Sequence, residues 1–295
     1  MIHTKKYIYK KSDAFTSELS LGNPAACIYT GKDNLSDKEM MNIAKQHKGF
    51  VSEVVFCANS DIADCKLTYY SSECEVDFCG HGTIAAMYEL LKNNEVLSHK
   101  KEIIFETNKK GTLFLYNELE NEDAIYVTAP EPKYSEVHVN NIEIANAFGV
   151  EESTLTKKYP MALIDAGLCT LIVPIASYQN EIEIFPCEQR LKAFCLENKI
   201  DIILIFCMDT SNTEFIAHTR VFAPKFGYLE DPATGTGNSA FGYYMNANKL
   251  WDGTPVAIEQ EGCDRIFNTV KLKIKDNKVL FGGKATLRID GYYII

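Results

Sequence analysis

The sequence predicts an α+β protein built as two similar domains. Three observations carry this. At 295 residues the chain exceeds the size at which a single core usually stops growing. The order of its elements repeats: strand, turn, strand, helix, strand, glycine turn, helix, then hairpins. Two glycine-rich stretches, Cys79-Gly80-His81-Gly82-Thr83 and Asp231-Pro232-Ala233-Thr234-Gly235-Thr236-Gly237-Asn238, each run straight into a small, apolar, helix-like segment. In each half an early turn precedes the glycine stretch by about sixty residues, which reads as duplication rather than a short-period repeat. Halves that are mostly strand, with one main helix each, imply two α+β domains with a cleft between them.

In chain order, residues 5–15 alternate and read as a strand. Gly22-Asn23-Pro24 is turn chemistry opening the apolar strand that holds Ala25, Ala26 and Cys27. The stretch from Asn34 to His47 reads as a helix, with Ser36 as N-cap, Glu39 completing a capping box, and Met40, Ile43 and Ala44 as its apolar stripe. The stretch from Gly49 to Cys57 enters a strand, and Lys66 to Tyr70 is another. After the first glycine stretch a helix spans 83–94, 102–107 and 112–117 pair as a hairpin, and 123–128 is a strand. Ala129-Pro130-Glu131-Pro132 is the best linker. The predicted domains are thus 1–128, joined by a C-terminal strand at 286–295, and 129–285. In the second, a short helix at 140–149 ends at Gly149. A strand–turn–strand spans 161–176, a helix about 187–198, and strands 202–208 and 215–223. After the second glycine stretch and its helix come strands at 256–259, 269–275, 278–281 and 285–289.

Composition narrows the function. Hydrophobic residues make up 46% and charged ones 24%, which suits a folded globular chain. A formal net charge of -10 disfavours nucleic acid and anionic membrane surfaces as partners. No apolar run approaches the roughly 18 residues of a membrane span, and no apolar signal segment opens the chain. A cytoplasmic location follows as an expectation, with most of the 10 cysteines as thiols; Cys195 and Cys207 read as small buried hydrophobes. There is no Cys-x-x-Cys pair and the 6 histidines lack metal-ligand spacing, so no metal is expected.

A glycine-rich turn that opens a helix presents backbone N–H groups and the positive end of the helix dipole, and so favours a carboxylate or phosphate. Two such turns suggest two anion-holding termini on one cleft, with a small carboxylate as the partner. Glu53 is the anomaly, an acid among Phe50, Val51, Val54 and Val55. Either it has a chemical task or it alternates outward to water; the sequence leaves both open. His81 reads as a functional side chain or a helix cap, and Asp231 as a functional acid or turn chemistry before Pro232.

Gly22-Asn23-Pro24-Ala25-Ala26, Ser52-Glu53, Cys79-Gly80-His81-Gly82-Thr83, Arg220-Val221-Phe222-Ala223-Pro224 and Glu230-Asp231-Pro232-Ala233-Thr234-Gly235-Thr236 stand in an order that resembles the PhzF-like phenazine-biosynthesis family, within the diaminopimelate epimerase superfamily. The resemblance implies two pseudo-symmetric domains, each an antiparallel β-barrel around a central helix, and chemistry without metal, nucleotide or pyridoxal cofactor. It implies a homodimer, a glutamate at Glu53 that moves a proton, and assistance from His81, Asp231 and Thr236. It also places Gly22, Asn23, Cys79, Gly80, Gly82, Thr83, Thr234, Gly235, Gly237 and Asn238 around the substrate. The chain departs from the family pattern at Gly82 and at Thr236-Gly237, both toward the epimerases. Cys79 fills the first epimerase thiol position, but Thr234 fills the second. Threonine is too weak an acid to return a proton there, which disfavours two-thiol epimerisation.

The resulting expectation is a cofactor-independent isomerase that shifts a proton on a small carboxylated metabolite. The alternatives are an amino- or hydroxy-acid racemase using Cys79 beside Glu53, and a non-catalytic metabolite-binding or interaction protein of the same fold.

Overall fold

A computed structural model describes residues 5–33, 35–261 and 266–295, and the chain divides into two compact units. Unit 1 comprises 1–128 with 282–295, and unit 2 comprises 129–281.

Unit 1 runs β1 (Lys6–Ala14), β2 (Asn23–Gly31), α1 (Asp37–Gln46), β3 (Glu53–Ala58), β4 (Cys65–Ser71), β5 (Glu75–Val76), α2 (Gly80–Asn93), β6 (Glu102–Thr107), β7 (Gly111–Glu118), α3 (Leu119–Glu122) and β8 (Ala124–Thr128). Unit 2 runs β9 (Lys133–Ser135), α4 (Asn141–Phe148), β10 (Ala162–Asp165), β11 (Cys169–Pro174), α5 (Tyr178–Ile182), α6 (Glu188–Glu197), β12 (Ile202–Cys207), β13 (Phe215–Phe222), β14 (Glu230–Asp231), α7 (Gly235–Ala247), β15 (Val256–Gln260) and β16 (Asn268–Lys275). The chain returns to unit 1 through β17 (Lys278–Gly283) and β18 (Ala285–Ile294).

The duplication is visible in the pairing. In unit 1, β1 and β2 are antiparallel, β2 and β3 parallel, β3 and β4 antiparallel, β4 and β6 parallel, and β6 and β7 antiparallel. In unit 2, β10, β11, β12, β13, β15 and β16 repeat that sequence of orientations. The sheets are therefore mixed, where the barrel expected from the resemblance is antiparallel. The reason is the connections: α1 and α2 in one unit, α5–α6 and α7 in the other, bridge the parallel neighbours, which no tight hairpin can do.

Each unit is organised around its glycine-led helix. α2 packs on β1, β2, β3, β8 and β18, and is buried from Gly80 to Leu91 except at His81 and Leu90. α7 packs on β10, β11, β12 and β16, and is buried from Gly235 to Met245 except at Thr236. A helix that is apolar all round belongs in a core. Both helices start earlier than the sequence suggests. The glycines form the first helical turn rather than a turn before it, because Cys79 and Thr234 hold extended backbone and act as N-caps.

Local signals fold as their chemistry dictates. Ser36 and Glu39 form the capping box of α1, and Asn140 and Glu143 that of α4. Asn34 lies outside the described residues. Gly149 ends α4 in the left-handed conformation at φ 76°. Gly22 has φ +70°, and a Cβ there would stand 2.7 Å from the Ala14 carbonyl oxygen. Gly22→Ala is expected to cost about 1–2 kcal/mol for the left-handed backbone and a further about 1–3 kcal/mol for overpacking. The denaturant midpoint of the purified variant measures this; an unchanged midpoint contradicts it. The described cysteines are all free thiols, with Cys195 and Cys207 buried.

Unit 2 buries a charge network the sequence does not announce. Arg220, 1% exposed, donates to both carboxylate oxygens of Glu230 at 2.8 Å. Its Nη1 donates to the backbone carbonyls of Glu181, Ile182 and Ile184 at 2.7, 3.3 and 2.8 Å, closing the C-terminal end of α5. Beside it, His218 Nδ1 lies 3.1 Å from Glu181 Oε2, both side chains fully buried. His218 Nε2 faces the Glu261 carbonyl at 2.9 Å. Burial works against the charged ring, but Glu181 and then Glu259 outweigh it and raise the His218 pKa. Both ring nitrogens face acceptors, so the imidazolium is the form that serves both.

Burial likewise pushes the Glu181 carboxyl up against the pull of His218. Each folded value lies above its unfolded one, which for histidine is about 6.5. The stabilisation is then complete below the unfolded values and is lost as pH rises through the folded ones. The thermal midpoint is expected to fall as pH rises above about 6.5, and to fall less steeply in His218→Gln. Equal slopes in the two proteins contradict this assignment.

Candidate active site

In unit 1 the expected residues come from three neighbouring backbone positions. Asn23 opens β2 and is buried, Glu53 opens β3 with Ala25 and Ser71 as its strand partners, and Cys79 caps α2. Gly82 allows the close approach: a Cβ there would stand 2.8 Å from Val55 Cγ2 and 3.0 Å from Cys79 Sγ.

The Glu53 side chain, 16% exposed, turns toward the helix start rather than to water. Its Oε2 lies 3.1 Å from His81 Nε2 and has no aligned hydrogen-bond donor. Cys79 Sγ stands 3.5 Å from His81 Nδ1 and 3.8 Å from Nε2, and accepts the Gly82 N–H at 3.2 Å. The cap is therefore a sulfur, and His81 is left with its ring beside the carboxylate instead of capping the helix. Thr83 is occupied inside the core, donating to the Cys79 carbonyl at 2.7 Å and sharing a hydrogen bond with Tyr69 at 2.7 Å.

Burial pushes the Cys79 thiol up, so it stays protonated. Burial opposes a charged His81 ring, yet Cys79 and Glu53 prevail and raise its pKa well above the ordinary histidine value. With the thiol neutral, the Glu53 carboxylate is the charge that favours the imidazolium. Among the described residues Glu53, Cys79 and His81 are also the one group of three such donors close enough to hold a metal ion, within 4.8 Å of one another. The linear spacing of the histidines hides this, because the donors come from two elements.

α2 leaves few of its leading amides open. The Gly82 N–H goes to the Cys79 sulfur and the Thr83 N–H to the Cys79 carbonyl at 2.9 Å, so those of Gly80 and His81 remain to meet an anion.

In unit 2 the corresponding terminus is built differently. Thr234 caps α7 by position but makes no side-chain cap bond, because its hydroxyl donates to Asp231 Oδ2 at 2.5 Å. The leading amides of Gly235, Thr236 and Gly237 are free of a cap side chain, which suits a small anion. Gln260 braces this arrangement: its Oε1 accepts from the Thr234 N–H at 3.0 Å and from Asn238 Nδ2 at 2.6 Å, while its Nε2 donates to the Asp231 carbonyl at 2.7 Å. Asn238 is thus a buried structural residue. Thr236 is half-buried, its methyl 3.3 Å from where a Cβ of Gly167 would stand. Sequence reasoning missed Gln260. No motif marks it, and a polar residue closing a strand is the only signal it offers.

A profile of the PhzC-PhzF family, described as phenazine biosynthesis-like protein, matches residues 12–291. The chain is similar to the uncharacterized isomerase YfhB of Bacillus subtilis, 27% identical over 284 residues that cover 95% of this chain and 94% of that one. It is similar in structure to a PhzF-family phenazine biosynthesis protein of Bacillus anthracis, with a TM-score of 0.85, 26% identity, and coverage of 99% and 100%. A hydroxyproline epimerase of Agrobacterium vitis shares the fold at a TM-score of 0.64 and 10% identity, over 100% of this chain and 93% of its own. The fold is thus the diaminopimelate epimerase-like one. With two units of repeated topology and this match over nearly its whole length, the chain is an isomerase belonging to the phenazine biosynthesis-like (PhzC-PhzF) family.

Proposed function

We propose that the protein moves a proton on a small carboxylated metabolite, without a cofactor, with Glu53 as the acid/base. The observation that carries this reading is the Glu53 carboxylate held 3.1 Å from His81 at the start of α2, with the oxygen nearest the ring lacking any aligned donor. A carboxylate so placed takes a proton from carbon beside an activating group and returns it elsewhere on the substrate. His81 hydrogen-bonds the group on which charge develops, and the Gly80 and His81 amides stabilise an enolate-like intermediate. In unit 2 we assign Asp231 to fixing Thr234, which keeps the leading amides of α7 open for a carboxylate.

The racemase reading is weaker on chemical grounds. It pairs Cys79 with Glu53 as the groups that take and return the proton, and its two-thiol form would need a second thiol opposite Cys79. Cys79 is a protonated thiol whose sulfur caps the helix, and the second thiol position is Thr234, committed to Asp231. A non-catalytic scaffold would have no use for a carboxylate oxygen buried without an aligned donor, since burying such a group is costly.

The test is exchange. The protein is incubated with a panel of small carboxylates in deuterated water, and label entering carbon is read by proton NMR and mass spectrometry. Enzyme-dependent isomerisation of at least one acid is expected. A substrate turned over equally by wild type and Glu53→Gln would remove Glu53 from the mechanism.

A further inference from the structure

We infer that Glu53, Cys79 and His81 form a binding site for one zinc ion, whose occupancy silences the proton-transfer chemistry of the same groups. The donor set is the first argument. A thiol, an imidazole and a carboxylate are the three ligand types of zinc sites, and sulfur steers the choice toward zinc over the oxygen-seeking magnesium and calcium.

Distances are the second argument. Bond lengths of about 2.0–2.3 Å at the tetrahedral angle place ligand atoms about 3.3–3.6 Å apart. Here His81 Nε2 is 3.1 Å from Glu53 Oε2 and 3.8 Å from Cys79 Sγ, and one ligand atom from each of the three residues lies within 4.8 Å of the others. The third argument is readiness. Glu53 Oε2 is buried with no aligned donor, so coordination completes its bonding. The Gly82 N–H already points at Cys79 Sγ from 3.2 Å, as the outer shell of a bound thiolate requires.

A coordinating thiol is deprotonated outright, so the ion takes the place of the Cys79 thiol proton, which leaves to solvent. His81 binds through Nε2 as neutral imidazole, any proton on that atom leaving likewise. Three protein ligands leave the fourth position for water or a substrate carboxylate. Binding itself does not rest on the proton-transfer reading; only the loss of turnover does.

The experiment uses the full chain and two metals. Cobalt(II) is added to metal-free protein and the thiolate-to-cobalt charge-transfer band and the visible bands of tetrahedral cobalt are recorded. Zinc is then added to displace it, and the zinc protein is examined by X-ray absorption. One cobalt per chain is expected, displaced by zinc, with one sulfur neighbour at about 2.3 Å and the others nitrogen or oxygen at about 2.0–2.2 Å. Cys79→Ser is expected to abolish the charge-transfer band. Glu53→Gln is expected to weaken binding by more than the about 10–100-fold that losing an outer-shell partner costs.

A charge-transfer band that survives in Cys79→Ser overturns the site, and so does bound zinc with no sulfur neighbour or with two or more. X-ray absorption on the wild type keeps the result independent of whether the variants fold. Equimolar zinc should also block deuterium exchange, reversed by a chelator. If zinc binds as described and exchange continues, the proton-transfer reading fails while the site stands.

Discussion

Turnover of Glu53→Gln is expected to fall about 10²–10⁴-fold, the range that a positioned acid/base supplies. Glutamine keeps the length and shape of the side chain but cannot take a proton. The strand that carries it is fixed by Ala25 on one side and Ser71 on the other, so the backbone at position 53 does not depend on the charge. The loss should therefore fall on kcat with little change in KM, because the missing interaction belongs to the transition state. The thermal midpoint is expected to stay close to that of the wild type, which separates lost chemistry from lost folding. His81→Asn keeps the base but removes its partner at 3.1 Å, and a smaller loss is expected. The assay is the exchange reaction on whichever carboxylate the panel identifies. A Glu53→Gln protein with wild-type kcat, or one whose loss lies wholly in KM, would falsify the assignment.

The largest effect on stability is expected at Arg220, in unit 2. Arg220→Met leaves Glu230 without its bidentate partner and strips three backbone carbonyls at the end of α5 of their donor. Removing one side of a buried pair typically costs about 3–5 kcal/mol, because the remaining group keeps its desolvation penalty. At about 2–4 °C per kcal/mol for a unit of this size, the midpoint should fall by roughly 6–20 °C. Methionine fills similar volume, so the loss reports polar contacts rather than a cavity. The same residue sits in the Arg220-Val221-Phe222-Ala223-Pro224 motif that helped identify the family. Its presence there is explained by folding: it pins α5, which carries Glu181, the partner of His218. A scan of Arg220→Met that overlays the wild type contradicts this account.

Much of the architecture was legible because its signals are local. The capping box at Ser36 and Glu39 and the left-handed Gly149 act within a few residues of where they are written, and they start α1 and end α4 where the sequence says they should. Two parts of the local reading shifted. The glycines of both stretches lie inside the helices, because burial of α2 and α7 overrides the low helix propensity of glycine. α5 and α3 are too short to show a period, so no signal in the sequence marks them.

The sequence by itself determined the duplicated α+β plan, the paired glycine-led helices, and Glu53 as an acid out of place. Those are matters of residue type, spacing and the order of elements, and they survive without coordinates. Only the tertiary structure decided what Glu53 faces, that Cys79 rather than His81 caps its helix, that Thr234 turns to Asp231, and that Gln260 holds the second terminus. Glu53 with His81 and Gln260 with Thr234 join elements separated in the chain, while the Cys79 cap and the Thr234–Asp231 bond span three residues each, and strand register and helix packing set which atoms come within reach. A side chain's partner is chosen by that geometry, which no short stretch of sequence encodes.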